Sequence, residues 1–408
     1  MKILLVRQNY PPERGAVRYV SDLAENLASR GHEVTVITGL PHYPTGRPYP
    51  GFGRFRPDMR IESGVKVIRL PLVMASNHQP LLRIVGFLSF AAIGFPILLC
   101  IQRPDVLVTS VPPVTVGLIG PLAARLRGLP LVLLLHDYEP LRSFELRGLD
   151  RTGAGRLLIR FFTRIYRMAE RMVVTIETER QALIARGAPY EKIEIITHGV
   201  DVDRFEQKSR EPIPFELFRR PGRRLALYLG TLGVAHDVES LIRAFSTAEV
   251  KSLPVDLAIV GDGECEPVCR EIIEREELKG IRIYSPVSLD WVPALLSSAD
   301  LLVLSQKPDL FSLGSKFYEY CATGKPMIAN SSGILARTIR KVDCGWVFEA
   351  RVPGSLEEAL GKFLRSSGSG LSGMGARAKA YARDRLSITD RHDRWEKLLG
   401  EVINAHGG

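Results

Sequence analysis

The chain has 408 residues, 45% hydrophobic and 25% charged, the balance of a globular protein long enough for two cores. Its net charge of +10 sits in one half: residues 1–200 carry 26 Lys/Arg against 16 Asp/Glu, and residues 201–408 carry 29 of each. Aromatic residues are not interleaved with the basic ones as a nucleic-acid stacking platform requires, and five cysteines without metal-site spacing exclude a disulfide scaffold.

The basic half therefore points to an anionic membrane surface rather than nucleic acid, and the cysteines to a reduced, cytoplasmic compartment. The first residues, MKILLVRQN, hold one strand's worth of apolar side chains and do not read as a signal peptide. Lys2–Val6 is expected to be a buried strand, followed by the loop QNYPPERGA, a helix from about Val17 to Arg30 and a strand over His32–Thr38. Strand, helix and strand without a hairpin signal predict a parallel sheet with ligands at the carboxyl ends of its strands. Gly15 in the first loop permits close approach of a ligand, but no G-x-G-x-x-G follows, which counts against a dehydrogenase.

Gly39–Arg60, rich in Pro, Gly, Tyr and Arg, reads as a loop: either a plain surface loop or a segment serving an acceptor or a membrane edge. Val65–Leu70 is the next strand. Ile84–Ile101 (IVGFLSFAAIGFPILLCI) is uncharged and long enough to cross a bilayer. Strands are expected on both sides of it, however, and crossing would put them on opposite faces of the membrane. A buried or surface-docked helix is the preferred reading. PLVLLL (Pro130–Leu135) is a buried strand ending at His136–Asp137, where a parallel sheet places its chemistry. Gly148–Ala169 is a basic helical stretch with Arg156, Arg160, Arg164 and Arg167 along one side, either solvated or facing lipid. Asp201–Val202–Asp203 spells a D-x-D, but in an inter-domain connector it is not taken as a metal site.

The second half repeats the alternation: RLALYLG, VDLAIVGDG, IRIYSPV, LLVLS, KPMIAN and GWVFEA are strands, with helices between them. After LLVLS (Leu301–Ser305) a loop opens a helix at about Gly314–Ser315. Its free N–H groups and dipole favour a phosphate. Lys316 adds a mobile positive charge, and Glu319, one turn in, is placed to accept hydrogen bonds from vicinal hydroxyls such as a ribose diol. The domains are expected at 1–203 and 204–380, with 381–408 as a helix that reaches back across the interface.

Five stretches in this order, ARGAPYEKIEIIT, HGVDVDRF, YLGTLGVAHDVESLIRAF, LAIVGDGE and SKFYEYCATGKPMIA, resemble the family 4 retaining glycosyltransferases. The segment RPDVLVTSVPP, after an apolar helix, is similar to the branch that builds exopolysaccharide and lipid-linked O-antigen. The resemblance implies a GT-B architecture, two Rossmann-like domains with parallel sheets facing a central cleft. It implies transfer of a sugar from a nucleotide diphosphate, UDP favoured, to a lipid-linked saccharide, without a metal. Peripheral attachment to the inner face of the plasma membrane goes with it. It assigns Glu319 to the donor ribose, and Leu313, Gly314, Ser315 and Lys316 to the diphosphate. Gly230 and Gly233 form the turn under the donor, Val287 lies near the base, Gly15 belongs to the glycine loop of the first domain, and His136 stands beside the transferred sugar. Asp137 or Glu139 is then available to position the acceptor. Two departures are visible. Phe311 stands where the family has the first Glu of E-x7-E, and Thr231 and His236 replace its Arg and Lys diphosphate pair. A neutral His236 would hold phosphate weakly and leave the task to Lys316. The rivals are a GT-B epimerase, a phosphorylase (for which no pyridoxal phosphate lysine is evident) and a catalytically silent, membrane-docked partner of a polysaccharide assembly complex.

Overall fold

The computed structural model describes residues 1–13, 18–76, 79–136, 141, 148, 151–206, 220–307 and 313–407. They form two compact units, Met1–Thr197 with Asp390–Gly408, and His198–Thr389. The division thus falls at Thr197, ahead of the expected 203, and the last segment joins the first unit from Asp390 rather than 381.

The first unit holds an eight-stranded sheet. Its strands are β1 (Lys2–Val6), β2 (Glu33–Gly39), β3 (Asp58–Glu62), β4 (Val65–Leu70), β5 (Val106–Val111), β6 (Leu131–Leu135), β7 (Arg171–Val174) and β8 (Ile193–Ile195), in the order β3-β4-β2-β1-β5-β6-β7-β8. All neighbours are parallel except β3 and β4; Leu5 stands opposite Val36 on one side and Val108 on the other. β5 and β6 are buried at every residue, as apolar runs covered by helices on both faces must be. β3 lies partly inside the stretch expected to be loop. It is joined to β4 by Ser63–Gly64, both with positive φ, the backbone of a two-residue hairpin. Arg69 on β4, 1% exposed, holds β3 in place by donating to both oxygens of Glu62 at 2.8 Å and to Pro11 O at 2.8 Å.

The apolar segment is one helix, Pro80–Cys100, continuous through Pro96. Gly86, Phe90, Gly94 and Leu98 form its buried stripe, at a spacing of one turn. A Cβ at Gly86 would lie 2.6 Å from Val73 O, so only glycine lets the helix pack this closely. β4 precedes the helix and β5 follows it in the same sheet, which agrees with docking rather than crossing. Only 22% of its most apolar window is buried.

The second unit is a six-stranded parallel sheet: β9 (Arg224–Leu229), β10 (Val255–Val260), β11 (Ile281–Tyr284), β12 (Leu301–Ser305), β13 (Met327–Asn330) and β14 (Gly345–Phe348), in the order β11-β10-β9-β12-β13-β14. The order reverses between β9 and β12, where an open sheet divides its loops and leaves a crevice for ligands. Asp201 of the D-x-D caps the short Val202–Glu206 helix, accepting from Arg204 N at 3.1 Å.

The helix Ile388–Gly407 completes the first unit. Trp395, Leu398, Leu399 and Val402 are at most 4% exposed and share a core with Leu5, Val20 and Leu23. Arg30 donates to Asp393 and Glu396, both at 2.7 Å, and pins the helix at its solvent edge.

Candidate functional site

The crevice of the second unit is built around the helix Ser315–Thr323. Tyr320 sets its position. Its buried hydroxyl accepts from Leu229 N at 3.0 Å and donates to Val303 O at 3.2 Å. One side chain thereby satisfies the backbone of β9 and β12 at the point where the strands part. The start of the helix lies above that point. Gly314, with φ 72° and no side chain to cap with, precedes it; Phe317 N donates to Gly314 O at 3.2 Å, and the N–H groups of Ser315 and Lys316 have no partner among the described residues. Leu313 is buried and anchors the approach to the helix.

Lys316 and Glu319 lie on this helix and pair with each other, Nζ to Oε2, at 2.9 Å. Both are partly exposed, with side chains 28% and 23% accessible. Each is thus the other's partner, and a ligand that engages both must break this ion pair.

Gly230, Gly233 and His236 lie on the loop after β9. The loop is laced to the one after β10 by Leu232 N to Asp262 O at 2.7 Å and Cys265 N to Leu232 O at 2.8 Å. Two glycines make that approach possible: a Cβ at Gly261 would sit 1.9 Å from Gly230 O, and one at Gly263 2.5 Å from Leu232 O. Lys307 N donates to Ala235 O at 3.0 Å, which ties the loop to the end of β12. Burial pushes the His236 imidazole below its usual value, so it is neutral at pH 7. Val234 N donates to the Glu264 carboxylate at 3.3 Å, so part of this loop faces an anion of the protein itself. The structure therefore brings Gly230, Gly233, His236, Leu313, Gly314, Ser315, Lys316 and Glu319 to one crevice. Val287 follows β11, the edge strand of the same parallel sheet, and packs against the core that also holds Leu229, Leu313 and Phe317.

In the first unit His136 follows β6, its N–H bonded to Val111 O at 3.1 Å. Its ring packs edge-on against Tyr19, centroids 5.4 Å apart, and its Nε2 lies 3.4 Å from Arg7 Nη1. A guanidinium can only donate, so Nε2 takes the acceptor role. Arg7 also donates to Ser110 Oγ at 3.1 Å; burial draws its pKa down to about 10, against the pull of Glu13, and it stays charged at neutral pH. Tyr19 donates to Ile196 O at 3.1 Å and accepts from Trp395 Nε1 at 2.9 Å, so the C-terminal helix fixes the ring that fixes His136. Gly15, Asp137, Glu139 and Phe311 lie outside the described residues.

Sequence reasoning did not find Tyr320, Glu264 or Arg7. A charged residue directly after the buried strand β1 was the one local signal for Arg7. Tyr320 had only its phenol, on a helix face that had to be apolar.

Residues 14–199 match the family described as Glycosyl transferase 4-like domain, and residues 209–385 match Glycosyl transferases group 1. The colanic acid biosynthesis glycosyl transferase WcaI of Escherichia coli K12 is 28% identical over 317 residues, 75% of this chain and 77% of its own. A GDP-mannose-dependent alpha-mannosyltransferase of Mycobacterium tuberculosis is 27% identical, over 82% of this chain and 80% of its own. HepE of Anabaena, solved in complex with UDP and glucose, superposes with a TM-score of 0.68 at 16% identity, over 98% of this chain and 100% of its own. The two Rossmann-like units are those of the GT-B fold.

Proposed function

Because the chain belongs to the family 4-like, group 1 glycosyltransferases, we propose that it moves a sugar from a nucleotide-diphosphate sugar to a lipid-linked saccharide in cell-surface polysaccharide synthesis. The observation that carries this reading is the uncapped helix start at the β9/β12 crevice, with Lys316 and Glu319 within one turn of it. Glu319 takes the ribose hydroxyls. Release of Lys316 from that carboxylate frees its ammonium for the β-phosphate, where negative charge grows as the sugar departs. The helix N–H groups share that charge, and no metal is assigned a part in the step. His136, oriented by Arg7 and Tyr19, is the proposed partner of the transferred sugar. Asp137 or Glu139 remains proposed for the acceptor, and retention of the anomeric configuration is proposed from family membership alone.

UDP is the favoured nucleotide, in keeping with HepE; the mannosyltransferase likeness makes GDP the competitor. The polysaccharide context follows the likeness to WcaI. A cytoplasmic position against the inner face of the membrane is supported by the exposed apolar helix and the basic half. Melting temperature with UDP, GDP, ADP and dTDP, each with and without EDTA, tests the donor site. One nucleotide should raise it, since ligand at 100 times its dissociation constant adds about 2.7 kcal/mol. The rise should survive the chelator. If none of the four shifts the transition, the reading falls and the silent partner takes its place.

A further inference from the structure

A cavity lies within the first unit, about 150 Å³ in volume, at the carboxyl ends of β1 and β5, where the strand order of this sheet reverses. Its lining includes Arg7, Gln8, His42, Arg83 and Phe87, together with Pro112 and Pro113, and no carboxylate among the described residues. Arg7 is 5% exposed, Gln8 3% and His42 7%. Thr38 Oγ1 at 3.0 Å and Gly39 N at 2.9 Å both donate to the backbone oxygen of Gln8, while its side-chain Oε1 is buried without a hydrogen-bond partner. A buried amide oxygen left this way costs free energy unless a ligand hydroxyl or a water reaches it. Glu13, which acts on Arg7 electrostatically, is already engaged by His42 N at 2.9 Å, Tyr43 N at 2.8 Å and Asn9 Nδ2 at 2.9 Å. Among the described residues the lining thus offers two arginines and one unpaired acceptor, groups suited to a ligand with an anionic oxygen and a hydroxyl.

Its outer wall is the beginning of the Pro80–Cys100 helix. Val73 N donates to Ser89 Oγ at 2.9 Å, and Ser89 Oγ donates to Gly86 O at 2.8 Å, which locks the helix against the segment after β4. Arg83, half-buried and 5.8 Å from the Phe87 ring, is held at the cavity rim. On the other side of the same turns Leu81, Ile84, Val85 and Leu88 are exposed, at 78%, 53%, 47% and 57%. The cavity is thus walled by a helix whose other face is an apolar ridge.

We propose that this cavity binds the phosphate head of a phosphorylated lipid, with Arg7 and Arg83 on the phosphate and the chain lying along the exposed face of the helix. The proposal deepens the lipid-linked acceptor reading and rests on it. Arg7 also touches His136, which connects the head-group site with the residue proposed to meet the sugar.

Isothermal titration of the full chain with farnesyl diphosphate, inorganic pyrophosphate and farnesol, in identical detergent micelles, tests it. Farnesyl diphosphate should bind about tenfold or more tighter than either fragment, since each lacks one half of the recognition. Arg83→Ala should weaken it by about tenfold or more, and Phe87→Ser should narrow its advantage over pyrophosphate. The nucleotide-dependent melting shift should stay unchanged in both variants. No binding of farnesyl diphosphate, or equal binding by Arg83→Ala, overturns the proposal. If Arg83→Ala instead loses only its retention on phosphatidylglycerol vesicles, the anion recognised is bulk phospholipid and the acceptor assignment is overturned. Loss of the nucleotide shift with farnesyl diphosphate binding intact would remove the donor reading alone.

Discussion

Glu319 contributes little to stability, because its partner Lys316 is partly solvated and such pairs are worth about 0–1 kcal/mol. Glu319→Ala should therefore unfold within about 0.5 kcal/mol of the parent while losing the nucleotide-dependent melting shift. A variant that keeps the shift would remove Glu319 from the ribose. His392 behaves oppositely, as a stability residue with no role in the site. It is 7% exposed, with Nε2 2.7 Å from Arg391 Nη2; burial first, then Arg391 and Arg30, depress its pKa to about 4. The unfolded chain binds this proton near pH 6.5, the folded chain only near 4. Between these values the unfolded state holds more protons, so the contribution is full above pH 6.5 and is lost as pH falls toward 4. His392→Gln should flatten that part of the stability curve relative to the parent in urea melts at stepped pH. An identical slope in the two proteins would refute the assignment.

Among the elements, the helix Ser315–Thr323 depends on one hydroxyl. Tyr320→Phe strands Leu229 N and Val303 O, both in buried strands, and should cost about 1–3 kcal/mol in urea unfolding. The penalty should come with weaker nucleotide binding, because the same bond places the helix start; a loss of stability with unaltered binding would separate the two roles. Helices and strands with a buried, periodic face were legible in the sequence, and so was the helix start that carries Glu319 one turn in, because its signals are local. β3 was not: Met59 and Ile61 on it are 65% and 79% exposed, so its pattern points nowhere, and it is held by Arg69 from the next strand. Tyr320 joins strands some seventy residues apart in sequence, and Trp395 enters a core whose members outside its own helix lie in the first half of the chain. No local pattern carries contacts of that range. The short connector was misplaced for a related reason: Val200 N bonds to Leu386 O at 2.7 Å and Ile388 N to Val200 O at 3.1 Å, which draws residues after Thr197 into the second unit.

For the molecule as a whole, the uneven charge acquires an address. The helices Pro80–Cys100, Val116–Arg127 and Gly153–Tyr166 lie side by side in the first unit and contain no Asp or Glu. Leu122 and Leu126 on the second, and Leu157 and Phe161 on the third, are exposed at 40%, 68%, 68% and 48%, beside exposed Arg125, Arg156, Arg160 and Arg164. Apolar side chains interleaved with arginines, free of carboxylates, suit the boundary between acyl chains and anionic head groups. Two forces then act together. Each arginine near such a surface adds about 1 kcal/mol, and salt screens it as the Debye length falls from about 10 Å at 0.1 M to 3 Å at 1 M. The apolar term, about 25 cal/mol per Å² buried, is indifferent to salt. Co-sedimentation with phosphatidylglycerol-containing vesicles should be strong in 50 mM salt and fall in 1 M, to a residue that reflects the apolar contact. Arg156→Glu with Arg160→Glu and Arg164→Glu should abolish the salt-sensitive part. Leu81→Ser with Val85→Ser and Leu88→Ser should abolish the salt-resistant part. Equal sedimentation with neutral phosphatidylcholine at both salts would show that the arginines contribute nothing, and no sedimentation under any condition would sink the membrane-facing reading of the first unit.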